Sequence, residues 1–438
     1  MRASPRNRRL AASRCISDDP LPVREPGYNR RVPVTADDLS RATRTLRSHP
    51  NDFGAWLEVA AILGALGHAD DAETVFATIG EGARAGGRVA LAVACARHLE
   101  KLGSMRGGEL LQEVIETYAT GGPHFKLEKP SQIDKPDIDL TNAGGTPLND
   151  ARTVTKVLAP WIGSRDPGAV PPAPLLSALS KSAARALVGV MTARAYPAGK
   201  TIIEAGAPAS ALYWIAHGTV SVKRGAASPG SSVVLGELHS GAFFGEIALV
   251  GGTTRTASVT AVDDVWVLEI PAKAVENAAQ KHPQLAEVLA FHARQRLLSN
   301  LTKTSELFKA LDQPDRDALL AKFTTEIVPA GTTFIAEGTA NAFLWVVVAG
   351  RCEVRGGGSL VAELGPGAAV GEISLVSGAP AVADVVATDQ VVVLKLSKQA
   401  FDEVASKQPA LLATVEKLVV AREKENRALF QDASDLIV

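Results

Sequence analysis

Apolar positions first recur at helical spacing, then at strand spacing, along this chain. From Thr35, Leu39, Ala42 and Leu46 fall on one helical face. Thr35 is placed to cap that helix, and Asp37 and Asp38 in its first turn favour the dipole. His49-Pro50-Asn51-Asp52 ends it and opens a span with Trp56, Val59, Ala60, Leu63, Gly67, Ala72 and Phe76, which describes two helices joined at a glycine. Ala96, Leu99 and Gly103 repeat Ala60, Leu63 and Gly67 at a distance of 36 residues (103 − 67 = 36), with Gln112 where the first copy has Phe76. Residues 35–120 are therefore expected to form a helical-repeat domain. Residues 1–34 carry Arg, Pro and Ser without periodicity and are expected to be a disordered tail. Residues 121–172 read as a linker broken by Gly and Pro, with one short helix from Val154, Val157, Leu158 and Trp161.

Helical spacing returns at Leu175, Leu176, Leu179, Leu187 and Met191, and the period then shortens. Ala211–Ile215, Thr219–Val222, Val233–Leu235, Ala257–Ala261 and Val265–Ile270 are strand signals punctuated by Gly206 and Gly218, the mark of a barrel or sandwich. Residues 271–303 turn helical again. The β unit then recurs. Pro197-Ala198-Gly199, Gly206 and Gly218 match Pro329-Ala330-Gly331, Gly338 and Gly350 at an offset of 132 (350 − 218 = 132), whereas Gly245-Glu246-Ile247 matches Gly371-Glu372-Ile373 at 126 (371 − 245 = 126). The second copy is six residues shorter (132 − 126 = 6), and the deletion falls in the hairpin around Gly356-Gly357-Gly358. The expected fold is α+β and multidomain: an N-terminal all-α repeat, then two tandem β-roll, jelly-roll-like barrels with flanking helices over 173–303 and 304–438. The C-terminal part from Pro409 reads as a helix.

The chemistry concentrates in Phe243-Phe244-Gly245-Glu246-Ile247-Ala248-Leu249, with Arg255-Thr256-Ala257 following. Gly245 lets backbone approach a ligand, and Glu246 is an acceptor suited to sugar hydroxyls. Arg255 offers a planar fork suited to phosphate. Acid, arginine and free amides together suggest a ligand with both a ribose and a phosphate. This stretch resembles the phosphate-binding cassette of cyclic-nucleotide-binding domains, as in protein kinase A regulatory subunits and the catabolite activator family. The resemblance implies that Glu246 takes the ribose 2′-hydroxyl. It also implies that Arg255 takes the cyclic phosphate, with help from amides around Ile247 and Ala248. A small hydroxyl at Thr256 keeps cAMP and cGMP both open, with cAMP favoured on frequency alone. In the second copy Gly371, Glu372, Ile373 and Ser374 persist, but Val370 replaces Phe244, Ala381 stands where the arginine belongs, and Asp384 follows. That copy reads as a degenerate site in which weak or different binding is open. The helical segment resembles a tetratricopeptide repeat, which implies a peptide-docking or dimer surface, while a helical spacer is the other reading of the same segment.

Composition adds mainly exclusions. A net charge of −1 points to neither nucleic acid nor an anionic membrane, and no apolar run reaches transmembrane length. Cys15, Cys95 and Cys352 are too few and too dispersed for a disulfide framework or zinc site and suit a reducing cytoplasm. No metal or catalytic cofactor is expected. The eight histidines are scattered, and no nucleophile elbow or P-loop occurs, so an enzyme is not expected. A helix-turn-helix DNA reader after the second barrel is not expected. Arg8-Arg9-Leu10-Ala11 looks like a kinase pseudosubstrate, but paired arginines are common in this composition. Two functions follow: a cyclic-nucleotide sensor that signals to a protein partner, or a nucleotide-independent scaffold built on inherited barrels.

Overall fold

The computed structural model describes residues 33–120, 125–130, 145–163, 169–225, 232–309, 311–407, 409 and 411–421. Residues 1–32, which hold Arg8-Arg9-Leu10-Ala11 and nearly all of the expected tail, lie outside the described residues, as does Cys15. Eight helices come first: α1 (Ala36–Ser48), α2 (Phe53–Ala65), α3 (Ala69–Ala85), α4 (Val89–Lys101), α5 (Met105–Tyr118), α6 (Pro147–Gly163), α7 (Pro174–Ser177) and α8 (Lys181–Gly189). Barrel A contains β1 (Thr192–Tyr196), β2 (Thr201–Ile203), β3 (Ala211–His217), β4 (Thr219–Gly225), β5 (Ser232–His239), β6 (Phe243–Phe244), helix α9 (Glu246–Gly251), β7 (Ser258–Ala261) and β8 (Val265–Pro271). Helices α10 (Ala272–Lys281), α11 (Pro283–Thr304), α12 (Glu306–Lys309) and α13 (Gln313–Leu320) lead to barrel B. Barrel B contains β9 (Thr324–Val328), β10 (Thr333–Ile335), β11 (Phe343–Ala349), β12 (Cys352–Gly356), β13 (Ser359–Leu364), β14 (Ala369–Val370), helix α14 (Glu372–Ser377), β15 (Asp384–Ala387) and β16 (Val391–Ser397), followed by α15 (Lys398–Ala405). Residues 411–421 are again helical.

The two barrels share one topology. Antiparallel sheets run β1-β8-β3-β6 and β2-β7-β4-β5 in A, and β9-β16-β11-β14 and β10-β15-β12-β13 in B. The six missing residues are all lost from one hairpin. Val220 pairs with Leu238 in A and Cys352 with Leu364 in B, so the spans are 18 and 12 residues (238 − 220; 364 − 352). In B the hairpin closes over Gly357 and Gly358, both at positive φ, as a tight two-residue turn demands.

Unbroken apolar runs in β3 and β11 follow from burial on both faces. In β3, Tyr213 and Ile215 point into the barrel, whereas Leu212, Trp214 and Ala216 join the core shared with the N-terminal helices. In β11, Trp345 and Val347 fill the barrel while Leu344, Val346 and Val348 pack under helices. The helical region is therefore welded to barrel A. Helix α4 lies on β1, β3 and β8, and Arg97 Nε donates to Met191 O at 2.8 Å. At the centre of this junction His98 stacks on Phe76 (5.0 Å between centroids) and meets Trp266 edge-on (4.9 Å).

Local signals explain the helix boundaries. Thr35 and Asp38 form a reciprocal capping box at α1. Pro50 O accepts from Trp56 Nε1 at 2.9 Å, which fixes the turn into α2. Part of the segment read as a linker forms the 17-residue α6, longer than the expected short helix. Val154 and Leu158 of that helix are buried, and Arg152 holds Asp71 through two bonds of 2.8 Å. Trp161, in the last turn of that helix, is 39% exposed.

Burial, with Lys101 adding to it, pushes the His98 imidazole down to about 4 from 6.5. The folded state therefore holds this ring neutral, and its stabilising effect is complete above pH 6.5. Between those two values the unfolded chain binds the extra proton, so stability falls as pH falls. Acidification from pH 7 to pH 5 is expected to cost about 2 kcal/mol through this residue. Thermal denaturation across that range should show a shallower pH dependence for His98→Phe than for the parent.

Candidate functional site

Strand β6 pairs with β3 for two residues only, Tyr213 with Phe244 and Trp214 with Phe243. The chain then reverses into α9 through Gly245, which sits at φ 93°. A Cβ there would lie 2.7 Å from Arg255 Nη1 and 3.1 Å from Ala211 O, so glycine is required by conformation and by space. Arg255 is 5% exposed. Its Nη1 donates to Gly245 O at 2.9 Å and its Nη2 to Ala211 O at 2.6 Å. A guanidinium carries five N–H donors, so about three remain unspent. Arg255 and Thr256 line a cleft of about 1360 Å³ that runs between the barrels.

Glu246 is buried, at 1% exposed. Its Oε1 accepts from Arg296 Nη1 at 2.7 Å, and the same nitrogen donates to Phe243 O at 2.7 Å. Its Oε2 is buried with no hydrogen-bond partner among the described residues. Burial drives the Glu246 carboxyl upward, and the guanidinium of Arg296 works against that. Ala248 and Ala257 are buried beside it. Ile247 turns its side chain onto the outer core of barrel B, and Gln390 Nε2 donates to Gly251 O at the end of α9. The cassette thus touches both barrels.

Barrel B keeps the backbone of this arrangement. Gly371 has φ 83°, and Glu372 is 4% exposed. Gly338 N donates to Ala381 O and Ala381 N to Thr339 O, both at 2.8 Å, as Gly206 N does to Arg255 O and Arg255 N to Ala207 O, also at 2.8 Å. Ala381 thus stands on the main-chain bonds that hold Arg255 in A. Gly371, Glu372, Ile373, Ser374 and Ala381 all line the cleft.

The family model for the cyclic nucleotide-binding domain matches residues 193–282 and 325–408. Two cyclic nucleotide-binding domains stand in tandem in this chain. A cAMP-dependent protein kinase regulatory subunit from Debaryomyces hansenii is 26% identical over 261 residues, 58% of this chain and 52% of that protein. A cyclic nucleotide-gated potassium channel from Mesorhizobium japonicum is 32% identical over 123 residues, 28% of this chain and 32% of the channel. The chain spans about half or less of the length of these relatives. Among solved structures, the regulatory domain of Toxoplasma gondii PKA with cAMP is 20% identical with a TM-score of 0.27, covering 56% of this chain and 90% of that one. Among the described residues no helix is long and apolar enough to cross a membrane.

Three residues of these domains escaped the sequence reading. Arg296 reaches Glu246 from α11, 50 positions away (296 − 246), and nothing local marks it. Arg224 lines the cleft without an acidic partner among the described residues, and burial pushes its guanidinium down to about 10. Asn341 does in domain B what Arg255 does in domain A. Its Nδ2 donates to Phe343 O at 2.8 Å and Gly371 O at 3.4 Å. These carbonyls correspond to Ala211 and Gly245 at the two repeat offsets (343 − 211 = 132; 371 − 245 = 126). The repeat alignment carried a signal, since Asn341 replaces Ala209 in the copy that lost its arginine.

Replacing Gly245 with Ala is expected to destabilise the chain by about 1–3 kcal/mol, from the left-handed backbone and the crowding at Arg255. Chemical denaturation of Gly245→Ala against the neutral control Gly189→Ala, whose Cβ meets nothing within 4 Å, measures it.

Proposed function

We propose that this chain is a cyclic-nucleotide-dependent regulatory protein, a binding and relay molecule rather than an enzyme, whose ligand enters domain A. The observation that carries the proposal is the buried Oε2 of Glu246, which lacks a hydrogen-bond partner beside an arginine with unspent donors. An orphaned buried acceptor costs about 1–3 kcal/mol and is relieved by a ligand hydroxyl. A ribose 2′-hydroxyl supplies that donor, and the adjoining cyclic phosphate supplies the acceptors that Arg255 lacks. Thr256 lines the cleft beside Arg255, and the ligand would meet Gly245, Ile247, Ala248 and Ala257 at the turn and the start of α9 and β7. cAMP is favoured over cGMP because the relatives matched over half of this chain are cAMP-dependent kinase regulatory subunits.

The geometry supports a route for the signal. Glu246 is tied to α11 through Arg296, and α11 runs from domain A into domain B. A ligand that hydrogen-bonds to Glu246 competes with or reinforces that tie, which biases the pose of the helix. The N-terminal helices, packed on the outer sheet of domain A, offer the surface for a protein partner. The described cysteines, Cys95 and Cys352, are buried and outside any disulfide, in keeping with a reducing cytoplasm.

Isothermal titration with cAMP and cGMP tests this reading. Arg255→Ala should weaken binding about ten- to a hundredfold, and Glu246→Gln by about tenfold or more, given about 1.5–3 kcal/mol for a charge-assisted hydrogen bond. Arg255→Lys, which keeps the charge and loses the fork, should fall between. No binding of either nucleotide by the parent chain, or equal binding by parent and Arg255→Ala, overturns the proposal.

A further inference from the structure

Two cations fasten helix α11 to barrel A. Arg296 Nη1 donates to Glu246 Oε1 and to Phe243 O, both at 2.7 Å. Two turns on, Lys303 Nζ donates to Leu235 O of β5. The core grips this part of the helix weakly. The buried residues of α11 are Leu285, Leu289, Ala293 and Leu301, so none of the seven from Arg294 to Asn300 (300 − 294 + 1) is buried. Leu297 and Leu298 rest half-buried against the outer core of barrel B. A stretch held by polar ties more than by burial opens locally at low cost.

Ser299 stands between the two fasteners and is exposed, three residues after Arg296 and four before Lys303 (299 − 296 = 3; 303 − 299 = 4). On a helix these spacings make neighbours, with Cβ atoms about 5–6 Å apart at each step. The Arg296 side chain is 24% exposed, so the barrel does not seal it from that face. The residues leading to Ser299 are Arg294-Gln295-Arg296-Leu297-Leu298, and Arg294 is exposed. Cations three and five residues ahead of a hydroxyl suit an enzyme groove of acidic side chains.

We propose that Ser299 is a phosphorylation site and that its phosphate unfastens α11 from barrel A. The modifying enzyme is a serine/threonine kinase with an acidic substrate groove. Ser299 Oγ forms a bond to the γ-phosphorus of ATP, its proton passes to the kinase's base, and ADP leaves as the β–γ bridge breaks. The new group carries a charge of about −1.5 to −2 and three acceptor oxygens. Glu246 offers Arg296 one negative charge, and the Leu235 carbonyl offers Lys303 none. The phosphate outcompetes both for their cations. Glu246 then loses its bond from Arg296, and α9 loses its brace. The effect on ligand affinity rests on the reading of domain A given above, whereas the unfastening does not.

The test is made on the full chain. A serine/threonine kinase selective for arginine three and five residues before the acceptor, supplied with ATP, should place a phosphate on Ser299, located by fragment mass spectrometry. Ser299→Ala should remove that phosphate, and Arg294→Ala should reduce it. Hydrogen exchange without ligand then reads the unfastening. Phosphoserine installed at 299 should speed exchange of the α9 amides about tenfold or more, as expected for one lost charge-assisted bond. Arg296→Gln should do the same, and phosphoserine in the Arg296→Gln background should add little. Where the parent chain binds cyclic nucleotide, phosphoserine at 299 should weaken that binding several-fold. No phosphate at Ser299, α9 exchange unchanged by phosphoserine, or full additivity with Arg296→Gln overturns the proposal. A parent chain that binds no cyclic nucleotide overturns the reading of domain A alone, because the exchange measurement needs no ligand.

Discussion

A small deficit of hydrogen-bond donors governs how these barrels can close. Where β3 meets the glycine turn, the ladder bond to β8 is made by the neighbouring pair, Ala272 N to Ser210 O, so the Ala211 carbonyl turns away from β8 toward Gly245. The carbonyl of Gly245 points the same way. Buried carbonyls left without donors are costly, so a side chain must reach them. In domain A that side chain is Arg255, whose guanidinium bonds both carbonyls. In domain B the same need is met by an amide from the other end of the loop. A guanidinium meets the demand in the first copy and a carboxamide meets it in the second.

The helical region shows a comparable economy. The outer faces of β3 and β8 are as apolar as their inner faces and need a cover. The N-terminal helices supply it in domain A, whereas α13, α15 and the helix at 411–421 supply it in domain B. Gly82 of α3 sits so close under Ile162 of α6 that no Cβ fits, which shows how tightly the extra helix is drawn in. The N-terminal helices are thus a layer of the first barrel's core.

Much of this was legible in the sequence because it follows from local rules. Helical periodicity located α1 to α5, and strand runs with fixed glycine offsets exposed the repeat. The six-residue deletion was placed in the correct hairpin because Gly356-Gly357-Gly358 has only one use there. What the sequence did not disclose depends on contacts between distant segments. Arg296 and Glu246 meet only because α11 folds back over α9. Trp161 follows the apolar spacing of α6, yet it stands 39% exposed while Val154, Leu158 and Ile162 are buried. Asn341 was hidden because its role is to satisfy backbone atoms, which carry no sequence signature of their own.

The bond from Gln390 to Gly251 and the seat of Ile247 on the far barrel make the cassette helix part of a mechanical joint. Under the proposed function, a change of angle at that joint would move α9 and with it Glu246. Thermodynamic reciprocity then applies: a partner that clamps the joint in the pose a ligand prefers raises affinity for the ligand by the factor the ligand raises affinity for the partner. Sensing and being sensed are the same free energy, counted from opposite ends of α9.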